Sequence, residues 1–232
     1  AKKAAEAADR SMRTALGADV AVDAASYAAV RARARALGGA DALRAELEAS
    51  GHVDAASGML TTGTKPFNLF ARIASGAMTQ PGMEAENACL GPAGARFVVC
   101  CNRPENDTHW ASEEAEWVGK ASMAERHRFL TTRSLSWESF NALAFGLTGN
   151  AAQLREAIAH LEAMMAAARD FASSAPGWDA EHLGMYFHCF PKNSVDSLHL
   201  HSTDRPVRLK AVNYDGLRRH SGCDLLRYKL DS

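Results

Sequence analysis

The stretch His188-Cys189-Phe190-Pro191-Lys192-Asn193-Ser194-Val195-Asp196-Ser197-Leu198-His199-Leu200-His201 decides how this chain is read. Its second half alternates polar and apolar residues, the period of a strand whose successive side chains point to opposite faces. Ser197, His199 and His201 then share one face, and Leu198 and Leu200 share the other. The two imidazoles stand ~7 Å apart, from a rise of ~3.3 Å per residue, so both can reach one phosphate group. The leucines anchor the strand in a core and hold the imidazoles still. Taken alone, the pair also fits a half-exposed sheet surface. It fits a metal site too, with His188, His199 and His201 as ligands, since alternate strand residues can chelate an ion. Beyond Cys189, which faces away from His188, no acidic or cysteine ligand completes such a site, so no metal is expected.

Working outward, Leu183 to Phe190 and Ser197 to Thr203 read as two strands joined by Pro191-Lys192-Asn193. Upstream, Asn150 with Gln153 three residues later makes a capping-box start. Leu154, Ile158, Leu161 and Met165 follow at helical spacing, so a long helix is predicted over 151–172, ended by Pro176-Gly177. Before it, Arg96 to Cys101 and His127 to Thr132 are short β-branched and apolar runs bounded by turn residues, and they read as strands. Strands, one long helix, then strands is an α+β pattern with an antiparallel sheet.

Composition changes near residue 56. Up to there, 21 of 56 residues are alanine, with no Pro, Phe or Trp. Alanine favours helix, and glycines divide the segment into three pieces, about 3–16, 24–37 and 42–49. Arg31, Arg33 and Arg35 read as a solvated helix face balanced by Asp41, Glu46 and Glu48. With so few large apolar residues this segment needs a docking surface. The expected organisation is an Ala-rich helical extension over 1–60, an α+β domain over 66–204, and a C-terminal cap over 205–232.

Several motifs in order resemble the histidine triad superfamily, in its Hint-like and aprataxin-like branch. Ser-Val-x-x-Leu-His-Leu-His is similar to the family's signature strand, with Ser197 in the first triad position, His199 in the second and His201 in the third. Asn68-Leu69-Phe70-Ala71-Arg72-Ile73-Ala74-Ser75-Gly76 resembles the opening N-x-F-x-x-I-x-x-G helix, and His127-Arg128-Phe129-Leu130 the H-x-L-V strand. His188 and Pro191 resemble the turn that precedes the triad in some branches. The resemblance covers about 67–204. It implies a nucleotide phosphohydrolase or nucleotidyl transferase, with His199 attacking an α-phosphorus and a nucleotidyl-histidine intermediate. His201 and Ser194 would serve as general acid or phosphoryl donor, and His127 would be a fourth active-site histidine. Ser197, His188, Lys192, Asn193, Phe70 and Ile73 would contact the substrate.

The sequence also departs from the family. Ser197 replaces the first histidine. Gly119 stands near the position of the ribose-binding acid, with only Glu116 close, and Thr132-Arg133 replaces a Pro-Lys. These departures favour a second reading, in which the domain is a structural or nucleotide-sensing subunit of a larger assembly.

Length and charge set the outer limits. The chain has 232 residues, 47% of them hydrophobic and 23% charged, which suits a globular protein with a real core. A net charge of −1 argues against wrapping a nucleic acid. No apolar run reaches the ~18 residues of a membrane span, and no secretory apolar segment opens the chain. Five cysteines without C-x-x-C spacing suit a reducing compartment, so an intracellular setting, cytoplasm or organelle interior, is expected. The partners expected are a nucleotide and either a second copy or a protein complex held through the N-terminal helices. No cofactor is expected.

Overall fold

The computed structural model describes residues 38–61, 69–112, 114, 116–117, 121–122, 124–140, 150–187 and 197–204. Four strands, β1 (Phe97–Cys101), β2 (His127–Thr132), β3 (Leu183–Phe187) and β4 (His199–Asp204), form one antiparallel sheet in the order β1-β2-β4-β3. The fold is α+β, with one long helix, as the sequence pattern predicts. The last of the described strands therefore lies inside the sheet, between β2 and β3. His201 is paired with Phe129 on one side and Tyr186 on the other.

Six α-helices lie among the described residues: α1 (Gly39–Ala49), α2 (Leu69–Ala74), α3 (Glu84–Ala88), α4 (Pro104–Thr108), α5 (Trp137–Phe140) and α6 (Ala151–Ser174). Helix α6 starts at the predicted capping box. Asn150 Oδ1 accepts from the backbone N–H groups of Ala152 and Gln153, and Gln153 Oε1 accepts from the N–H of Asn150, each at 3.0 Å. These bonds satisfy the orphan donors of the first turn.

Ala157, Leu161, Met164, Ala167, Ala168, Phe171 and Ala172 of α6 face the core. Of the residues read at helical spacing, Leu161 belongs to this stripe and Met165 packs against the core, whereas Ile158 is 40% exposed. Four of the seven buried residues are alanines, whose small side chains let the helix approach the sheet closely. The helix ends at Ala175 and the chain turns at Gly177, whose φ of +79° strains any residue with a Cβ.

The outer edge of β1 is closed by side chains. The Asn87 amide donates to the carbonyl of Val99 and accepts from its N–H, at 3.0 and 2.8 Å. The Gln80 amide does the same for Cys101, at 2.9 and 3.0 Å. Each amide imitates one residue of a neighbouring strand, so this edge offers few free groups for pairing with another chain.

The described part of the Ala-rich extension joins the same core. Ala40, Val53 and Leu60 are buried among the domain's apolar residues, and the N–H of Leu60 donates to the carbonyl of Leu135 at 2.7 Å. The first two predicted helices of the extension, the turn around Pro191 and the tail from 205 lie outside the described residues.

Candidate functional site

The site is built on the central pair of strands. In β2, His127, Phe129 and Thr131 share a face because side chains alternate. Opposite them across the β2–β4 ladder stand Thr203, His201 and His199. The registry thus brings His127, His199 and His201 onto one face, around the ring of Phe129. That ring meets His127 at 4.6 Å between centroids, His201 at 5.0 Å and His199 at 5.9 Å.

All three histidines are buried, at 2% exposure for His127 and 5% each for His199 and His201. This rules out the half-exposed surface as a description of the paired histidines. Every residue of β4 is buried, so the strand is covered on both faces. Ser197 is buried too, but it stands before the strand, which begins at His199 and not at Ser197 as predicted. Its backbone is the informative part. The carbonyl of Ser197 lies 2.7 Å from His199 Nδ1. A carbonyl can only accept, so Nδ1 carries the hydrogen and Nε2 is the nitrogen with a lone pair. The neighbouring peptide is pinned as well, because Thr131 Oγ1 donates to the carbonyl of Leu198 at 2.8 Å. Two hydrogen bonds therefore fix the backbone and ring at the entrance to β4.

His127 Nε2 and His201 Nδ1 are 3.0 Å apart, so one donates to the other. Their rings lie 21° from parallel, with centroids 5.1 Å apart. His199 and His201 are 4.9 Å apart between centroids. Phe70 of α2 stacks on the His199 ring at 4.6 Å and 24°. Phe70 is itself buried, so it covers His199 and does not line an open cleft. Ile73, the other substrate contact expected on this helix, is buried within the core cluster.

Burial sets the charge state of the group. Removal from water pushes the His199 pKa down to about 4, against an opposing contribution from the hydrogen bond to Ser197. The same removal, with His199 and the Arg128 cation nearby, pushes His127 down to about 3. Both are neutral imidazoles at pH 7, which a nitrogen nucleophile must be. The arrangement can present one tautomer-fixed neutral imidazole beside a hydrogen-bonded imidazole pair. Among the described residues, no group of three or more His, Cys, Asp or Glu side chains is arranged to hold a metal ion.

His188, Lys192, Asn193 and Ser194 lie outside the described residues. Glu116, the nearest acid to the expected ribose position, is exposed. Phe129 was not singled out from the sequence as a site residue. The signal was available, since it stands two positions after His127 in a predicted strand and must share its face. Of the remaining histidines, His182 is exposed and His160 is half-buried against Phe97, with ring centroids 5.8 Å apart. Among the described residues no helix is long and apolar enough to cross a membrane. No protein-family model, no curated protein and no solved structure matches this chain.

Proposed function

We propose that this chain is a histidine triad-like protein that hydrolyses or transfers nucleotidyl groups, with His199 as the nucleophile. The observation that carries the reading is the bond from His199 Nδ1–H to the Ser197 carbonyl, which leaves the Nε2 lone pair for attack. In this reading Nε2 attacks the α-phosphorus of a nucleotide. A P–N bond to the imidazole forms, and the bond from phosphorus to the leaving group breaks. The leaving group takes a proton from a neighbouring acid, for which His201, held by His127, is the described candidate. Water then attacks the phosphorus, the P–N bond breaks, and a nucleoside monophosphate departs with His199 restored. Suitable substrates are nucleoside phosphoramidates, adenylated conjugates and dinucleoside polyphosphates.

A specific observation favours a second reading, a catalytically silent domain that serves as a structural or nucleotide-sensing subunit. The nucleophile sits under the Phe70 ring, and serine stands where the family carries its first imidazole.

Hydrolysis of adenosine 5′-phosphoramidate and of a diadenosine polyphosphate, beside a His199→Ala control, separates the two. The enzyme reading expects turnover that falls at least ~1,000-fold in the control. Absence of turnover overturns it. A thermal shift with adenosine monophosphate, scaling as the logarithm of ligand concentration, would then support a sensing subunit.

A further inference from the structure

One ion-paired arginine stands directly behind the site. Strand β1 ends at Cys101, opposite Arg128, so His127 lies one residue beyond the last β1–β2 pair. The Arg128 side chain takes up the position, with Nη1 donating to the carbonyl of His127 at 2.9 Å. The rest of the guanidinium is committed to acids. Nε and Nη2 meet Glu86 Oε2 and Oε1 at 2.7 and 2.8 Å, a two-point match of fork to carboxylate, and Asp107 Oδ2 lies 3.7 Å from Nη1. Asp107 is held in turn by the hydroxyl of buried Ser122, which Asn102 also reaches at 3.2 Å. Such a fork has little freedom left, so the carbonyl it grips has little either.

We propose that Arg128, clamped by Glu86 and Asp107, is a positioning residue that seats His127 against His201. The inference rests on the nucleotidyl-transfer reading for its purpose, and on the contacts alone for its geometry. His127 meets His201 at 3.0 Å from the first residue of β2. Loss of the carbonyl contact lets that first residue shift, and a displacement of about half an ångström takes a bond of this length out of hydrogen-bond range. The charge acts in the same direction as the contact. The groups facing His127 are His199 and His201 on β4 and Arg128 on its own strand, with the two carboxylates behind the guanidinium. The cation beside His127 disfavours a second positive charge on the imidazole.

The test is imidazole nitrogen spectroscopy on the full chain, by long-range proton–nitrogen correlation at neutral pH and down to pH 5. In the unaltered protein His127 shows one protonated and one bare nitrogen, unchanged across this range. Arg128→Met is expected to collapse that pattern toward exchange between tautomers. Arg128→Lys, which keeps the charge and loses the fork, does not restore the fixed tautomer. Glu86→Gln, which leaves Arg128 in place, loosens the tautomer to a smaller degree. Arg126→Gln is the control for plain destabilisation. Arg126 pairs with Asp204 at 2.9 Å, so its loss removes an ion pair of the same strand pair and leaves the His127 signals in place. An unchanged His127 pattern in folded Arg128→Met, or an equal change in Arg126→Gln, overturns the proposal. A fixed tautomer that depends on Arg128, in a protein without turnover, refutes the enzyme reading and leaves the clamp standing.

Discussion

The two faces of the β-sheet bury polar groups on opposite terms. On the α2 face, His127, His199 and His201 are packed among Phe70 and Phe129, and ring nitrogens of all three are tied by hydrogen bonds. On the α6 face, the buried stripe is mostly alanine, leucine and phenylalanine. Two polar atoms found there, Ser202 Oγ and His160 Nε2, have no hydrogen-bond partner, whereas the buried carboxylate of Asp204 pairs with Arg126. A buried polar group without a partner costs about 1–3 kcal/mol, so the two faces differ in what burial does to stability. One face uses polarity to hold an arrangement. The other also carries polar atoms with no visible return. The consequences for stability are testable, and the largest lies on the histidine face.

Acid should break the histidine face first. His199 and His127 have ordinary imidazole values near 6.5 when unfolded, and about 4 and about 3 when folded. Below pH 6.5 the unfolded chain therefore binds protons that the folded chain refuses. Stability is fully present above pH 6.5 and is lost as pH falls toward 4, with a slope of roughly 1.4 kcal/mol per pH unit for each of the two histidines. His160, lowered chiefly by burial, adds in the same direction. Urea unfolding at pH 7.0, 6.0 and 5.0 measures the slope. A flat profile across this window would show that the imidazoles are not held neutral by burial. His127→Asn with His199→Asn should flatten it.

The α6 face should respond to lost volume, not to pH. Phe171 is fully buried and meets Trp178 edge-on, with centroids 5.1 Å apart. Phe171→Ala should cost roughly 3–5 kcal/mol through lost transfer energy and the cavity left behind. Its pH slope should match that of the unaltered protein, because no titrating group changes. If the slope also changes, the two faces are coupled and the comparison fails.

How much of this was visible in the residues follows from period and neighbourhood. The strands at 97–101 and 127–132 and the capping box at Asn150 are local signals, and each is where the sequence puts it. The pairing of His127 with His201 spans 74 positions, and no local pattern encodes a registry of that length. It became legible only through a family resemblance that placed both histidines in one site. The burial of His199 under Phe70 had no signal at all in the strand itself, since alternation says which residues share a face and not what covers it. The α6 stripe is legible in part, at Leu161 and Met165, for a related reason. Large apolar side chains mark the helical period, whereas close packing of helix on sheet here also selects small ones. The clamp around Arg128 draws on α3, α4 and β2, three elements that meet only in the folded chain.

The smallest expected effect tests the comparison from the other side. Ser202 lies on β4 between His201 and Thr203, so alternation turns its side chain away from the histidines. It is 2% exposed, and its hydroxyl has no hydrogen-bond partner. Removing the oxygen leaves almost no void and relieves the desolvation of an unused donor and acceptor. Ser202→Ala should therefore stabilise the protein by about 1 kcal/mol, read as an upward shift of the urea midpoint with an unchanged slope. Substitution of the adjacent residue, His201→Ala, should instead destabilise, because it removes a hydrogen-bond partner of buried His127. Neighbouring residues of one strand would then respond with opposite signs to the loss of a polar group, and the sign would depend on whether that group had a partner. Stabilisation by both substitutions would mean that the histidine bond contributes nothing to folding, and that the imidazoles are retained for chemistry alone.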